Sequence, residues 1–336
     1  MTRRRPGRGW IAVATLAVAA AAVVALLGWP AGWGTITPAG SGRPAGSARL
    51  AVHAGRAAHA GHAARRAVPP CNPEASLRPL GPPAVTPGSF MAKIRARGYL
   101  IAGVDQNAYP FGYLDLRNGQ FEGFDIDMLH AISAAIFGNP NKIRYVAISD
   151  DQRSSAVASG EVDIVAYTMT VTCARWRLTD FSTVYFDAHQ RVLVLSDSTA
   201  KSLADLGGKK VCATKGSTSL TTIVASTHNM STPPITVPVT YWTDCLVLLQ
   251  QGDVAAISTD DSILAGLQAQ DPFTKIIGPS LADEPYGLAI SNRHPDFVRF
   301  VNAVLAQMRA DGQWADSYRH WVGSQVPAPP PSQYRD

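Results

Sequence analysis

Residues 161–183 read Glu161-Val-Asp-Ile-Val-Ala-Tyr-Thr-Met-Thr-Val-Thr-Cys-Ala-Arg-Trp-Arg-Leu-Thr-Asp-Phe-Ser-Thr183. The apolar run Val162 to Ala166 has the length and composition of a buried strand. It leads into a hydroxyl-rich turn, Thr168-Met169-Thr170, and Arg175 follows at the expected start of a helix. Hydroxyls, exposed amides and one guanidinium converging on a strand end can hold a small carboxylate by bidentate, charge-assisted hydrogen bonds.

Outward from this stretch, short apolar strands alternate with amphipathic helices from about residue 90, the pattern of βαβ units around mostly parallel sheets. The strand candidates are Tyr99–Val104, Lys142–Ile148, Val162–Ala166, Arg191–Leu195, Lys210–Thr214, Ile235–Val239, Val254–Ser258 and Tyr286–Ile290. Helices are expected over Asp125–Phe137 and Pro295–Ala310, each with one apolar stripe. Asp125 reads as the N-terminal cap of the first of these, rather than as a metal ligand with Asp127. The pattern runs βαβαβ over 99–168 and again over 210–258, with strand-like joins near 186–192 and 282–288. Two lobes with two crossovers follow, and open α/β sheets bind ligands at the carboxyl ends of their strands.

The net charge of +5 is misleading as a guide to partners. Residues 1–66 hold nine arginines and no acid, so residues 67–336 carry a net −4 and no nucleic-acid surface is expected. Four of those arginines precede an uncharged apolar run from Trp10 to Trp29, long enough to span a bilayer. Residues 1–30 are therefore expected to be an uncleaved signal anchor, with a cleaved signal as the alternative. Residues 31–70, rich in Ala, Gly, Pro and Arg, read as a solvated tether. His53, His59 and His62 are scattered within it and suggest no metal site. The Pro-rich tail 325–336 is expected to be extended and disordered. The four cysteines, 71, 173, 212 and 245, suggest two disulfides in an exported protein, with three connectivities open.

Five strand ends carry polar groups. Asp105 ends the first strand and either orients Arg175 or a ligand, or caps a turn. Arg153 follows the second strand and either faces the cleft or pairs with Asp150 as a solvated helix-start residue. Thr168, Met169, Thr170 and Arg175 form the cluster described above. In the second half, Lys215-Gly-Ser217-Thr218-Ser219 opens a helix with free amides and hydroxyls that suit an anion, without a Walker triplet. Asp260 and Asp261 follow another strand: Asp261 is expected to cap, and Asp260 to meet an ammonium across from Arg175.

The ordered landmarks Ile101-Ala-Gly-Val-Asp105, Phe121-Glu-Gly-Phe-Asp-Ile-Asp127, Thr170-Val-Thr-Cys-Ala-Arg175, Asp180-Phe-Ser, Leu203-Ala-Asp-Leu-Gly-Gly-Lys209, Gly252-Asp-Val-Ala-Ala-Ile-Ser-Thr-Asp260, Pro285-Tyr-Gly-Leu-Ala and Asp311-Gly-Gln-Trp314 resemble the type II periplasmic amino-acid-binding proteins of ATP-driven importers, solute-binding family 3. The resemblance covers about residues 90–324 and is nearest to actinobacterial glutamine/glutamate/aspartate binders. It implies an α/β fold of two lobes: lobe one from 90–187 plus 286–324, lobe two from 188–285, and an N-terminal extension at 71–89. It also implies that Arg175 and the Thr168–Thr170 turn hold an α-carboxylate and Asp260 an α-ammonium. Ser217 and Thr218 would add donors, and Tyr286 would sit at the hinge facing the cleft. Arg153 looks like the arginine of aspartate/glutamate binders, implying L-glutamate or L-aspartate, with asparagine and glutamine weaker. Tyr167 is unusual for that family. Placed on this fold, Cys212 and Cys245 become neighbours within lobe two, and Cys71 would staple the extension to the loop of Cys173.

The resemblance further implies an extracytoplasmic, membrane-tethered monomer without cofactor. It would hand its ligand to an importer's permease or signal through a transmembrane sensor. A dehydratase on the same fold is the enzymatic rival, but a cleft built on an Arg–Asp pair suits a zwitterion, and no serine–histidine or metal-ligand spacing occurs in the folded part.

Overall fold

The structure is a computed structural model that describes residues 71–336. The expected anchor and tether lie outside those residues, and among the described residues no helix is long and apolar enough to cross a membrane. The extension lays down β1 (Ala75–Ser76). Lobe one follows with α1 (Phe90–Arg97), β2 (Leu100–Val104), a meander of β3 (Asn107–Ala108), β4 (Gly112–Asp115) and β5 (Gln120–Glu122), and α2 (Phe124–Phe137). Next come β6 (Ile143–Ala147), α3 (Arg153–Ser159), β7 (Ile164–Ala166) and β8 (Thr179–Phe181). The chain crosses on β9 (Phe186–Leu195) into β10 (Lys210–Thr214), α4 (Thr218–Thr227), β11 (Ile235–Val239), α5 (Trp242–Gln250), β12 (Ala256–Asp260) and α6 (Asp261–Gln270). It returns on β13 (Thr274–Tyr286) to β14 (Ala289–Ser291), α7 (Pro295–Ala310), α8 (Gln313–Trp321) and β15 (Gln333–Tyr334).

Each lobe holds a mixed five-stranded sheet. Lobe one has the order β6-β2-β7-β14-β8, with β6, β2 and β7 parallel and β14 antiparallel to both its neighbours. Lobe two repeats the scheme as β11-β10-β12-β9-β13. Helices cover both faces of the first sheet, so β2 is apolar on both sides: Leu100, Ala102 and Val104 enter one core, Ile101 the other. The stripe of α7 buries Val298, Val301, Leu305 and Met308, about 1.5–3 kcal/mol per side chain relative to exposure. Pro295 starts that helix at a position where its missing N–H costs nothing.

The crossovers are two antiparallel strands, β9 and β13, paired from Phe186↔Tyr286 to Leu195↔Thr274 with an irregularity between Ile277 and Ala282. The expected strand Tyr286–Ile290 is therefore two elements, because the chain leaves the hinge pairing at Tyr286 and rejoins lobe one at Ala289. The lobes touch over the cleft. A Cβ on Gly266 of α6 would lie 1.7 Å from the Tyr109 carbonyl oxygen of the lobe-one meander, so only glycine admits this approach.

Both disulfides form as the resemblance implied. Cys212–Cys245 is buried in the second lobe with Cα atoms 5.6 Å apart. Cys71–Cys173 is exposed and ties the extension to the loop just ahead of Arg175, Cα to Cα 6.1 Å. The tail corrects the expectation of disorder. β15 pairs in parallel with β1, Arg335 binds Asp180 and lies 3.9 Å from the Trp176 ring, and Asp336 pairs with Arg299. Proline-rich composition predicts extension, and here the extended chain docks through its last charged residues.

Candidate functional site

The expected turn after β7 is built around a strained residue. Thr168 has φ +40°, the one non-glycine in the left-handed region among the described residues. Its N–H donates to Asp125 Oδ2 at 2.7 Å, and Tyr185 Oη donates to the other oxygen. Asp125 is thus no helix cap, a correction to the sequence reading: Gly123 occupies the cap position, and the Asp125 carboxylate reaches under the sheet to fix the turn. Burial raises Asp125 to about 6, against the hydrogen bonds that lower it.

Met169 is also corrected as a ligand residue. Its side chain lies wholly in the lobe-one core and its carbonyl accepts from Gly287 N–H. The threonines on either side line the cleft instead. Arg175 opens a single 3₁₀ turn, Arg175–Arg177, and not a full helix. Its Nη1 donates to Thr170 O at 2.6 Å and its Nη2 crosses the cleft to Gly216 O at 3.2 Å. Burial and Arg153 lower it to about 9, so it stays charged at neutral pH; Asp150, Glu284 and Asp260 work in the opposite direction.

Facing it, α4 presents its N-terminus. Ser217 Oγ is occupied as the helix cap, accepting from Leu220 N and donating to Thr214 O. Thr218 Oγ1 donates to Glu284 Oε2 at 2.7 Å, and Thr170 Oγ1 donates to the same oxygen from lobe one. Asp260 ends β12, buried, and accepts from Tyr286 Oη at 2.6 Å. Tyr286 sits wholly buried at the hinge and reaches the cleft through Asp260, sharing its hydroxyl with Ser262 at 2.7 Å. Asp261 is the first residue of α6 and Asp260 holds the cap position without a side-chain cap bond, a correction to the expected division of roles; the Asp261 carboxylate accepts from Ser262 N and His189 N.

Arg153 is 3 % exposed, so it is not the solvated residue of the alternative reading, yet the Asp150 pairing holds. Nη2 meets Asp150 Oδ1 at 2.5 Å, Nε donates to Asp150 O at 3.0 Å, and Nη1 donates to Tyr167 O at 3.1 Å. Tyr167 lays its ring 5.1 Å from the guanidinium, a cation–π contact that accounts for a tyrosine there. Asp105 lies beside this group. Its Oδ1 closes a turn by accepting from Asn107 N at 2.8 Å, while Oδ2 is buried without a partner among the described residues. Burial, with Asp150 adding repulsion, raises Asp105 to about 7.

Asp150, Arg153, Thr168, Thr170, Thr218, Trp242 and Asp260 thus line one small cavity between the lobes, with Ser217, Ser219, Thr259 and Ile263. The Thr168 hydroxyl and the Trp242 indole N–H have no partner among the described residues, two polar groups of the kind that orient a polar ligand. Sequence reasoning missed Glu284, Trp242 and the role of Asp125. For Glu284 the signal was present: strand alternation puts it on the same side as Tyr286, already placed at the cleft.

The family described as bacterial extracellular solute-binding proteins, family 3, matches residues 100–324, which carry both sheets and every cleft residue named above. The chain belongs to that family. Among curated solute-binding proteins, the ABC transporter glutamine-binding protein GlnH of Bacillus subtilis is 32 % identical over 233 residues, 69 % of this chain and 84 % of its own length. The glutamate/glutamine/aspartate/asparagine-binding protein BztA of Rhodobacter capsulatus is 29 % identical over 215 residues, 62 % of each. Among solved structures, an ancestral arginine-binding protein bound to glutamine aligns with a TM-score of 0.62 and 33 % identity, covering 68 % of this chain and 99 % of that one. This solute-binding protein therefore has the two-lobed type II fold, in a family of bacterial extracellular solute-binding proteins.

Proposed function

We propose that the protein binds a polar α-amino acid of the glutamate, aspartate, glutamine and asparagine group and delivers it to the permease of an ABC importer. The α-carboxylate lies on Arg175 and the amides of the Thr170 and Thr218 segments, and the α-ammonium on Asp260. The observation that carries this reading is a half-buried guanidinium on lobe one and a buried carboxylate on lobe two, charges of opposite sign that act on one another across the cleft as a zwitterion requires. The side chain points to Arg153. Three of its five N–H groups are taken by Asp150 and Tyr167, which leaves two for an acceptor. Asp150 already offsets its charge, so the acids lead their amides by a narrow margin, about tenfold or less. That margin is smaller than a lone guanidinium would give. The tether proposed from residues 1–70 would keep the protein at the outer membrane surface.

Calorimetric titration with L-glutamate, L-aspartate, L-glutamine and L-asparagine tests the reading. It expects one site and heat from acids and amides alike. No heat from any of the four would sink the assignment.

A further inference from the structure

Glu284 is a buried carboxylate, 1 % exposed, on the hinge end of β13, the edge strand of the lobe-two sheet. The strand register brings it close to Asp260. Asp260 pairs with Gln190 on one side of β9, and Ala282 pairs with the same Gln190 on the other. Glu284 stands two residues beyond Ala282, hence on the same face. Its Oε2 gathers the hydroxyls of Thr170 from lobe one and Thr218 from lobe two. Asp260 has Tyr286 Oη at 2.6 Å on one oxygen and only the Ser219 hydroxyl, at 3.5 Å, on the other.

The charges do not cancel. Arg153 and Asp150 form one pair, which leaves Arg175 alone against Asp260 and Glu284. Two buried carboxylates beside one cation cannot both ionise cheaply.

We propose that Asp260 carries a proton when the cleft holds no amino acid, kept there by its burial and by the charge of Glu284, and that the ligand's α-ammonium displaces this proton to solvent. Glu284 thereby acts as a specificity-determining residue. It makes the cleft demand a cationic nitrogen, and it joins that demand to closure through the two threonine hydroxyls. The proposal rests on the amino-acid reading given above. Burial and the Glu284 charge both raise Asp260, Asp261 adds to the rise, and Tyr286 and Arg153 oppose it. His189, which faces Asp261 from β9 at 3.5 Å, and the more distant Asp150 complete the charged groups around the pair. The ammonium lowers Asp260 by direct attraction. Proton release on binding follows, and with it an affinity that weakens as pH falls, by up to about tenfold per pH unit for one linked proton.

The test is calorimetric titration of the whole protein with L-glutamine and L-glutamate in phosphate, HEPES and Tris, between about pH 5.5 and 7.5, where the ligand's own ammonium stays charged. The dependence of observed heat on buffer ionisation heat counts protons. Wild type is expected to release a substantial fraction of a proton per ligand. Glu284→Gln keeps the size and the hydrogen-bonding oxygen, and is expected to release far less and to flatten the pH dependence of affinity. Binding whose heat is independent of buffer in wild type overturns the proposal without help from any variant. Equal proton release in Glu284→Gln overturns the part assigned to Glu284. Absence of heat with every amino acid overturns the amino-acid reading itself, and is thereby distinguished from both.

Discussion

The two walls of the cleft are built differently. Lobe one holds its cleft groups rigidly from behind: Asp125 and Tyr185 fix the Thr168 turn, Asp150 and the Tyr167 carbonyl fix Arg153, and the Thr170 carbonyl fixes Arg175. Lobe two offers a helix N-terminus and Asp260, and its Thr218 hydroxyl is spent on the hinge residue Glu284. The difference teaches an order of events. On the amino-acid reading proposed above, the preset first wall would grip the ligand carboxylate, and the second wall would close on it as a population shift about β9 and β13.

The largest effect expected from this asymmetry is at Arg175. Arg175→Ala removes a half-buried bidentate donor and should weaken the best ligand on the order of a hundredfold or more, whereas Thr218→Val on the opposite wall should cost about tenfold or less. Comparable losses by calorimetry would remove the distinction between the walls.

The disulfides sharpen the same contrast. Cys212–Cys245 closes a loop of 33 residues inside lobe two, worth about 3–4 kcal/mol in the chain-entropy model, so replacing both cysteines with alanine should lower the melting temperature and leave affinity almost unchanged. Replacing Cys71 and Cys173 should lower affinity a few-fold as well, because that bridge steadies the loop carrying Arg175. Unaltered binding in the second double variant would show that the Thr170 contact alone holds the loop.

A further effect, on stability alone, is electrostatic. Asp105 is raised to about 7 in the folded protein from 3.8, so its contribution to stability is complete at low pH and is lost as pH rises from about 4 to 7. Asp105→Asn should therefore melt higher than wild type near pH 8, by a margin that shrinks toward pH 4. A margin that does not change with pH would place the carboxyl in a more hydrated setting.

The two-lobed fold, the crossovers and the place of Arg175 beside Thr170 were legible because each rests on a local signal: strand period, helix stripe, or a guanidinium beside threonines. The rest failed where chemistry depends on long-range placement. Asp125 looks like a cap because it stands at a helix start, yet its partners are Thr168, 43 residues away, and Tyr185. Met169 was drawn into the site by its threonine neighbours, though its side chain lies in the lobe-one core. The tail read as disordered from composition, since nothing local shows that Arg335 will find Asp180 or that Gln333 and Tyr334 will pair with β1.

One measurement tests the central claim most directly: a crystal structure of the protein grown with L-glutamine or L-glutamate. The account predicts the α-carboxylate on the Arg175 guanidinium, the α-ammonium at Asp260 beside Glu284, and the side chain directed at Arg153. An amino acid bound with its ends reversed, or bound outside the interlobe cleft, would contradict it.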